Sequence, residues 1–363
     1  MAVLALTSAK GTPGVSTAAL AMTLLWPRAA LLAECDPAGG SSVLAGYLRG
    51  TVDHSRGLLP LALAQRHEAL EQALWAQTVP LTGDPHAASA TPGAGDRWLL
   101  PGLSDAAQAP STAALWGPLG SLLASLERAG TDVLVDAGRL GAAHAPTALL
   151  RQADLVLLVL GTSLPAVAAA RARLAVLREE MAAINTADSA LSGVGLLLVG
   201  EGRPYTGREI AGALGLPVVA TLAWDPASAE VLAAGAAPGR RFAGSPLVRS
   251  TRAAITASSA AIARRRDRLA PPQPAAPSLT SRLLGREVRD DPLSVLTAGQ
   301  LAVLAAMAEG RSNSGVAEAL HVSEAAVEKN MTGLFRALGL HPEPGQHRRV
   351  RAVLVYLRAV GRH

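Results

Sequence analysis

Lysine is almost missing from this chain: of 33 basic residues only Lys10 and Lys329 carry an ammonium, and all the others are arginine. One lysine falls in a glycine-bearing turn and the other in a helix-like segment near the C-terminus. Cysteine is represented once, by Cys35, which excludes an internal disulfide and suits a reducing compartment. Aromatic residues make up 3% of the chain, so any core must be aliphatic. No run of about 18 uncharged apolar residues reads as a membrane span. The first residues lack a basic region followed by a long apolar stretch, so a signal peptide is not expected. Half of the residues are hydrophobic, which excludes a disordered chain and is ample for a sizeable core over 363 residues. A soluble, cytoplasmic protein of two domains is the resulting expectation.

Charge divides the chain unevenly. Residues 1–265 carry 20 Lys/Arg and 19 Asp/Glu, net +1, whereas residues 266–363 carry 13 and 9, net +4. A small basic excess is compatible with an acidic partner and equally with a solvated surface.

From Ala2 to about Gly235, short aliphatic runs alternate with helix-length segments: "VLALTS", "RAALLAE", "RWLLPG", "DVLVDAG", "DLVLLVLG", "GVGLLLVG" and "PVVATLA". Runs of this kind, separated by helical segments such as 164–184 and 206–214, predict a parallel sheet buried on both faces. The fold class is α/β, a doubly wound and mostly parallel sheet, with ligands expected at the carboxyl ends of the strands. A helical piece is expected around 61–76, followed by a loop, "PLTGDPHAASATPGAGD". The segment 246–268 reads as a helix with its basic residues at the C-terminal end, where they suit the helix dipole. The expected boundaries are a first domain over 1–268, a proline-rich linker over 269–292 containing "APPQPAAPS", and a small all-α domain over 293–363.

The stretch "LALTSAKGTPGVSTAALAMTL", Leu4 to Leu24, has the outline of a phosphate-binding loop. Backbone N–H groups of a glycine turn and a helix start converge on phosphate oxygens, and a Ser or Thr hydroxyl helps to hold Mg²⁺. Gly11, Gly14, Ser16 and Thr17 can supply those parts. Val15, however, stands where the lysine of the usual motif belongs. "KGTPGVST" resembles the deviant loop K-G-G-x-G-K-[ST] of the ParA/MinD class of P-loop ATPases, from which it departs at Thr12, Pro13 and Val15.

That resemblance implies an ATP or ADP site with Mg²⁺ over Lys10 to Thr17, with Lys10 as the signature lysine that reaches a nucleotide across a homodimer. "LLAECDPAGG" resembles the family's D-x-D-P strand end, with Glu34 in place of the first Asp and Asp36 placed to orient the attacking water or Mg²⁺. "DVLVDAGRL" is similar to the Walker B strand, with Asp136 near Mg²⁺. The catalytic set implied is Lys10, Asp36 and Asp136, and the metal set is Ser16, Asp36 and Asp136, through water where needed. "ADLVLLVLGTSLPAVAAARARL" and "LAWDPASAEVLAAG" resemble the later units and the adenine-side loop. Without the loop lysine, a charge on the β- and γ-phosphates is missing. A weak ATPase and a pseudo-ATPase therefore both remain open.

Further on, "LTAGQLAVLAAMAEGRSNSGVAEALHVSEAAVEKNMTGLFRALGL" has three helical segments, capped by Thr297, Ser312 and Ser323. Leu301, Leu304, Val316, Ala317, Leu320, Val322, Val327, Met331, Leu334 and Leu338 are expected to face inward. This is a helix-turn-helix pattern, whose last helix enters a major groove. It resembles the LuxR-type module, with a fourth helix in "HRRVRAVLVYLRAV". The resemblance implies DNA contacts from Ser312 and Ser323, with Lys329, Asn330 and Thr332 towards bases or phosphates and Arg336 near the backbone. Arg348, Arg349 and Arg351 are further candidates for backbone contacts.

Three readings follow. In the first, a nucleotide-gated dimer controls paired DNA-binding modules, as a regulator or a nucleoid-associated positioning factor. In the second, the chain resembles the CpaE/TadZ type, degenerate-loop ParA relatives associated with pilus and secretion assembly at the envelope, and does not bind DNA. In the third, it is an active partitioning ATPase.

Overall fold

The computed structural model describes residues 3–10, 14–83, 95–182, 193–269, 293, 295–341 and 347–360. The chain divides into two compact units, Met1–Pro271 and Pro272–His363.

The first unit is built on an eight-stranded sheet. Its strands are β1 (Val3–Ser8), β2 (Ala29–Glu34), β3 (Val79–Pro80), β4 (Arg97–Leu100), β5 (Thr131–Arg139), β6 (Leu155–Gly161), β7 (Val194–Val199) and β8 (Val218–Leu222), in the order β3-β4-β2-β5-β1-β6-β7-β8. Every pairing is parallel except that of β3 with β4. The seven aliphatic runs each form a strand. β3 is the addition: two residues, the second a proline, carry no alternation to read, and an edge is where a strand tolerates proline.

Alternate residues of the central strands enter two cores, one on each face. Val3, Ala5, Leu31, Val133, Val135, Val156 and Leu158 belong to one core, and Leu4, Leu6, Leu32, Leu134, Leu155 and Leu157 to the other. That is the period-2 geometry of a strand buried on both sides. The first core is covered by α2 (Leu58–Ala64), α3 (Leu70–Ala76), α5 (Trp116–Ser125), α6 (Thr147–Gln152), α7 (Leu164–Ala182) and α8 (Gly207–Leu214), with the short α4 (Ala109–Thr112) at its margin. The second is covered by α1 (Val15–Leu24), α9 (Pro226–Ala233) and α10 (Pro246–Leu269). The helical piece expected over 61–76 is two helices, broken at residues 65–69. In the loop expected after it, residues 84–94 lie outside the described residues, as do those of the linker from 270 to 292.

The basic run at the end of α10 has internal partners. Arg266 makes a bidentate pair with Glu127 at 2.7 and 2.8 Å and reaches Asp154 at 2.9 Å, while Arg265 donates to the carbonyls of Ala153 and Asp154. Hydrogen bonding from Arg266 holds Glu127 down at about 2. These arginines fasten the last helix of the first unit to the chain just before β5 and just before β6.

The second unit contains α11 (Ala298–Ala308), α12 (Asn313–Leu320), α13 (Glu324–Ala337) and α14 (Arg348–Val360) around a core of Val303, Leu304, Met307, Val316, Val327, Leu334 and Phe335. Thr297, Ser312 and Ser323 cap the first three, accepting from Gln300, Gly315 and Ala326 N–H. Thr297 and Gln300 form a reciprocal capping box. α12 ends on His321 in the left-handed region, φ 53, which sets the tight turn into α13. Two expected core residues face outward instead: Leu301 is 37% exposed and Val322, in that turn, 44%. Among the described residues no helix is long and apolar enough to cross a membrane.

Candidate functional site

Strand β1 lies between β5 and β6, and the chain goes from it to β2 on one side and, after β5, to β6 on the other. The crevice at the carboxyl ends is therefore a topological switch point, where ligands of open α/β sheets bind. Helix α1 starts here. Gly14, its N-cap, is left-handed at φ 88, no side chain caps the helix, and its first turn has no acidic residue. The ladder begins with Ala18 N–H donating to Gly14 O at 2.8 Å. The N–H groups of Val15, Ser16 and Thr17 fall outside it and leave a positive helix end at the crevice.

A cleft of about 220 Å³ opens there, lined by Ser8, Gly14, Val15, Ser16, Thr17, Asp36, Ser42, Asp136 and Gly138. Strands β1, β2 and β5 fix its base. Thr7 Oγ1 donates to Gly138 O at 3.1 Å, Leu140 N–H to Ser8 O at 2.9 Å, and Cys35 N–H to Asp136 O at 2.7 Å. The β1–β5 register shifts between Leu6 and Ser8, so Asp136 and the residues after it turn into the cleft. Gly138 permits this, with φ +63 and the Asp36 carboxyl so close that an added Cβ would lie 2.2 Å from its Cγ.

Asp136 is buried and accepts from Gly138 N–H at 3.0 Å and from the Ser16 hydroxyl. Burial, with a smaller contribution from the Asp36 charge, raises it to about 6 against those two hydrogen bonds. Beside it on β2, Glu34 is pushed up to about 7, chiefly by burial. Glu34 is fully engaged: Ser41 donates a short hydroxyl bond, and the N–H groups of Gly102 and Val43 lie 3.2 and 3.4 Å away. It joins β2 to the chain after β4 and is not among the residues lining the cleft.

The fold brings Ser16, Asp36 and Asp136, the expected metal set, to one cleft. Mg²⁺ takes oxygen ligands and uses one or two carboxylates together with waters and phosphates. A hydroxyl and two carboxylates fit that set. Among the described residues no group of three or more His, Cys, Asp or Glu is arranged to hold a metal, so there is no all-protein cage.

Gly11, Thr12 and Pro13 lie outside the described residues. Val15, at the position of the usual lysine, is 8% exposed and packs into the core beneath α1. Lys10 is exposed and lines a different cleft, over the ends of β6 and β7. The phosphate-end cleft therefore has two carboxylates and, among its described lining residues, no cation. A further cleft of about 450 Å³ continues from Gly14 and Thr17 along α1 and α9 to Trp224. Sequence reasoning did not single out Trp224; a large aromatic just before the Asp-Pro start of α9 was its signal.

On α13, Lys329, Thr332 and Arg336 are exposed. Asn330, expected to face bases, is half-buried with its amide donating to Ala326 O at 2.9 Å, and is engaged within the domain. The Thr332 hydroxyl donates to Glu328 O. Ser312 and Ser323 act as caps. Arg349 is not available to phosphates: it donates to the Asn313 side chain and the Arg311 carbonyl, tying α14 to the start of α12. Arg348 lies over the Phe335 ring, 5.1 Å from its centroid.

Comparison with known proteins accords with both units. Residues 294–344 match the GerE family, the bacterial regulatory proteins of the luxR family. By structure, the chain is similar to a ParA family ATPase from Chlorobium tepidum TLS, at 15% identity over 70% of this chain and 98% of that one, with a TM-score of 0.50. It also resembles the septum site-determining protein MinD of Pyrococcus horikoshii OT3, solved with Mg-ADP (16%, 74% and 97%, 0.45), and the MinD cell division protein of Aquifex aeolicus (17%, 76% and 100%, 0.44). No curated protein sequence matches the chain. The first unit thus has a ParA/MinD-type fold. Fused to it is a LuxR-type helix-turn-helix.

Proposed function

We propose that this chain is a Mg-nucleotide-responsive DNA-binding protein, in which a nucleotide held by the first unit governs how the helix-turn-helix engages DNA. The observation that carries the reading is the convergence of Ser16, Asp36 and Asp136 at the start of α1, in a chain that also carries a luxR-family module. The backbone N–H groups of Gly14 and of the first turn of α1 would hold the β-phosphate of ATP or ADP. Ser16, Asp36 and Asp136 would hold Mg²⁺, which when bound neutralises phosphate charge against the two carboxylates. The apolar cleft beside Trp224 would take the base.

Binding without rapid turnover is the consistent expectation. Val15 is an anchor for α1 and supplies no charge to a leaving phosphate. The remaining cation, Lys10, would have to reach the nucleotide of a second copy, which makes a homodimer the responsive state. A dimer places two recognition helices for two half-sites. Lys329, Thr332 and Arg336 on the exposed face of α13 would meet the DNA, with residues 269–292 as the linker and the nucleoid in the cytoplasm as the place of action.

Calorimetry with Mg-ATP and Mg-ADP tests the first half: wild type binds and Asp136→Ala does not, and equal affinities would remove the site. A mobility shift tests the second half, with retention lost in Lys329→Ala. One feature favours an organiser of envelope assembly that does not read DNA, namely that the charges of α13 (Glu324, Glu328, Lys329 and Arg336) sum to zero. Nucleotide binding without DNA retention would select it.

A further inference from the structure

Three clefts open side by side along the carboxyl ends of the strands, and their charges differ. The phosphate-end cleft carries Asp36 and Asp136, and its neighbour along α9 carries Asp225 and Glu230. The third, of about 370 Å³, is lined by Lys10 and Arg203 and, among its described residues, by no carboxylate. It lies over the ends of β6 and β7, with Trp224 shared between it and the second cleft. Cations above walls such as Val159, Leu160 and Val199 complement an anion with an apolar body.

The wall that carries Arg203 is fixed in place. Thr162 Oγ1 lies 2.8 Å from the Gly200 carbonyl and 3.0 Å from the Arg203 carbonyl, and accepts from Arg203 N–H at 3.2 Å. Tyr205 N–H donates to Thr162 O at 3.3 Å. The loop after β7 is thereby stitched to the end of β6. Trp224 is held close to this loop because Gly200, at φ +74, has no Cβ; one placed there would come within 3.2 Å of the Trp224 Cβ. Trp224 is 51% exposed, whereas Trp26, Trp98 and Trp116 are buried. Helix α7 begins at the same rim with no acid in its first turn, which adds to the positive field.

We propose that this third cleft binds a small aromatic anion, with Arg203 and Lys10 taking the charge and Trp224 offering a face for the ring. The site shares Trp224 with the cleft along α9 and draws on Lys10, which the proposed function directs to a second copy; Arg203 lines neither of the other clefts, so its substitution tests this site apart from that reading.

The test is a fluorescence titration of the full-length protein with 1-anilinonaphthalene-8-sulfonate, compared with N-phenyl-1-naphthylamine, which has the same ring system and no sulfonate. Arg203→Glu should weaken the sulfonate probe about tenfold or more, the scale of one lost charge-assisted hydrogen bond, and leave the uncharged probe unchanged. Arg203→Gln should give a smaller loss in the same direction. Arg208→Glu, an exposed change on α8 outside the cleft, should have no effect. Equal affinity of wild type and Arg203→Glu for the sulfonate probe would overturn the proposal. So would equal losses in Arg203→Glu and Arg208→Glu, or a parallel loss for the uncharged probe.

Discussion

The charged groups lining the candidate phosphate cleft are two carboxylates, one of them buried and raised in pKa, whereas the helical unit carries cations of two kinds, exposed and internally bonded, beside the glutamates of α13. Asp136 and Glu34 are register partners on adjacent strands, raised to about 6 and about 7. Lys329 and Arg336 are exposed on α13, while Arg348 and Arg349 are held by Phe335, Asn313 and Arg311. Burial without a counter-charge stores a demand for a cation, and burial with a partner removes a cation from use. The first region thus holds its buried carboxyls towards the protonated form, and the second has fewer exposed cations than its arginine content implies.

The largest effect should come from removing the stored demand. Asp136→Ala is expected to weaken Mg-nucleotide binding at least about 10–100-fold, read by calorimetry. Next comes pH. Both carboxyls have folded values above their unfolded ones, so the folded state holds the protons more tightly. Their stability contribution is present at low pH and is lost as pH rises from about 4 to about 7, amounting to a few kcal/mol on the scale of about 1.4 kcal/mol per unit. Denaturant titrations without metal should show this fall, and Asp136→Asn should flatten it. A third test concerns Arg349: its replacement by Ala should destabilise the helical unit by about 1–3 kcal/mol, seen as a lower unfolding midpoint. Lys329→Ala should leave the fold intact and reduce the salt slope of DNA binding by about 1. If Arg349→Ala changes the salt slope and Lys329→Ala does not, the division between internal and free cations is wrong.

Much of the fold was legible in the chain. The seven aliphatic runs became strands because Val and Leu at successive positions suit only a surface buried on both sides, and Thr297, Ser312 and Ser323 announced three helix starts. β3 was hidden because two residues form no pattern. Of the site, the order of the glycine turn, Asp36 and Asp136 was readable, since each ends or follows a hydrophobic strand. What became of Asn330, Arg349, Arg266 and Glu34 was not, because each is decided by a partner distant in sequence or by side-chain packing. The same holds for Gly138, whose need is set by Asp36 from another strand, and for Trp224 and Arg203, brought together by the ends of β7 and β8.

In the proposed function, nucleotide in the first unit governs DNA engagement by the second. Filter retention of sheared, labelled genomic DNA by the full chain, with and without Mg-ATP, measures it directly. Wild-type protein should change its DNA affinity at least about fivefold on adding Mg-ATP, and Asp136→Ala should not respond. DNA retention that is identical with and without nucleotide in the wild type, or equally responsive in Asp136→Ala, would contradict the account.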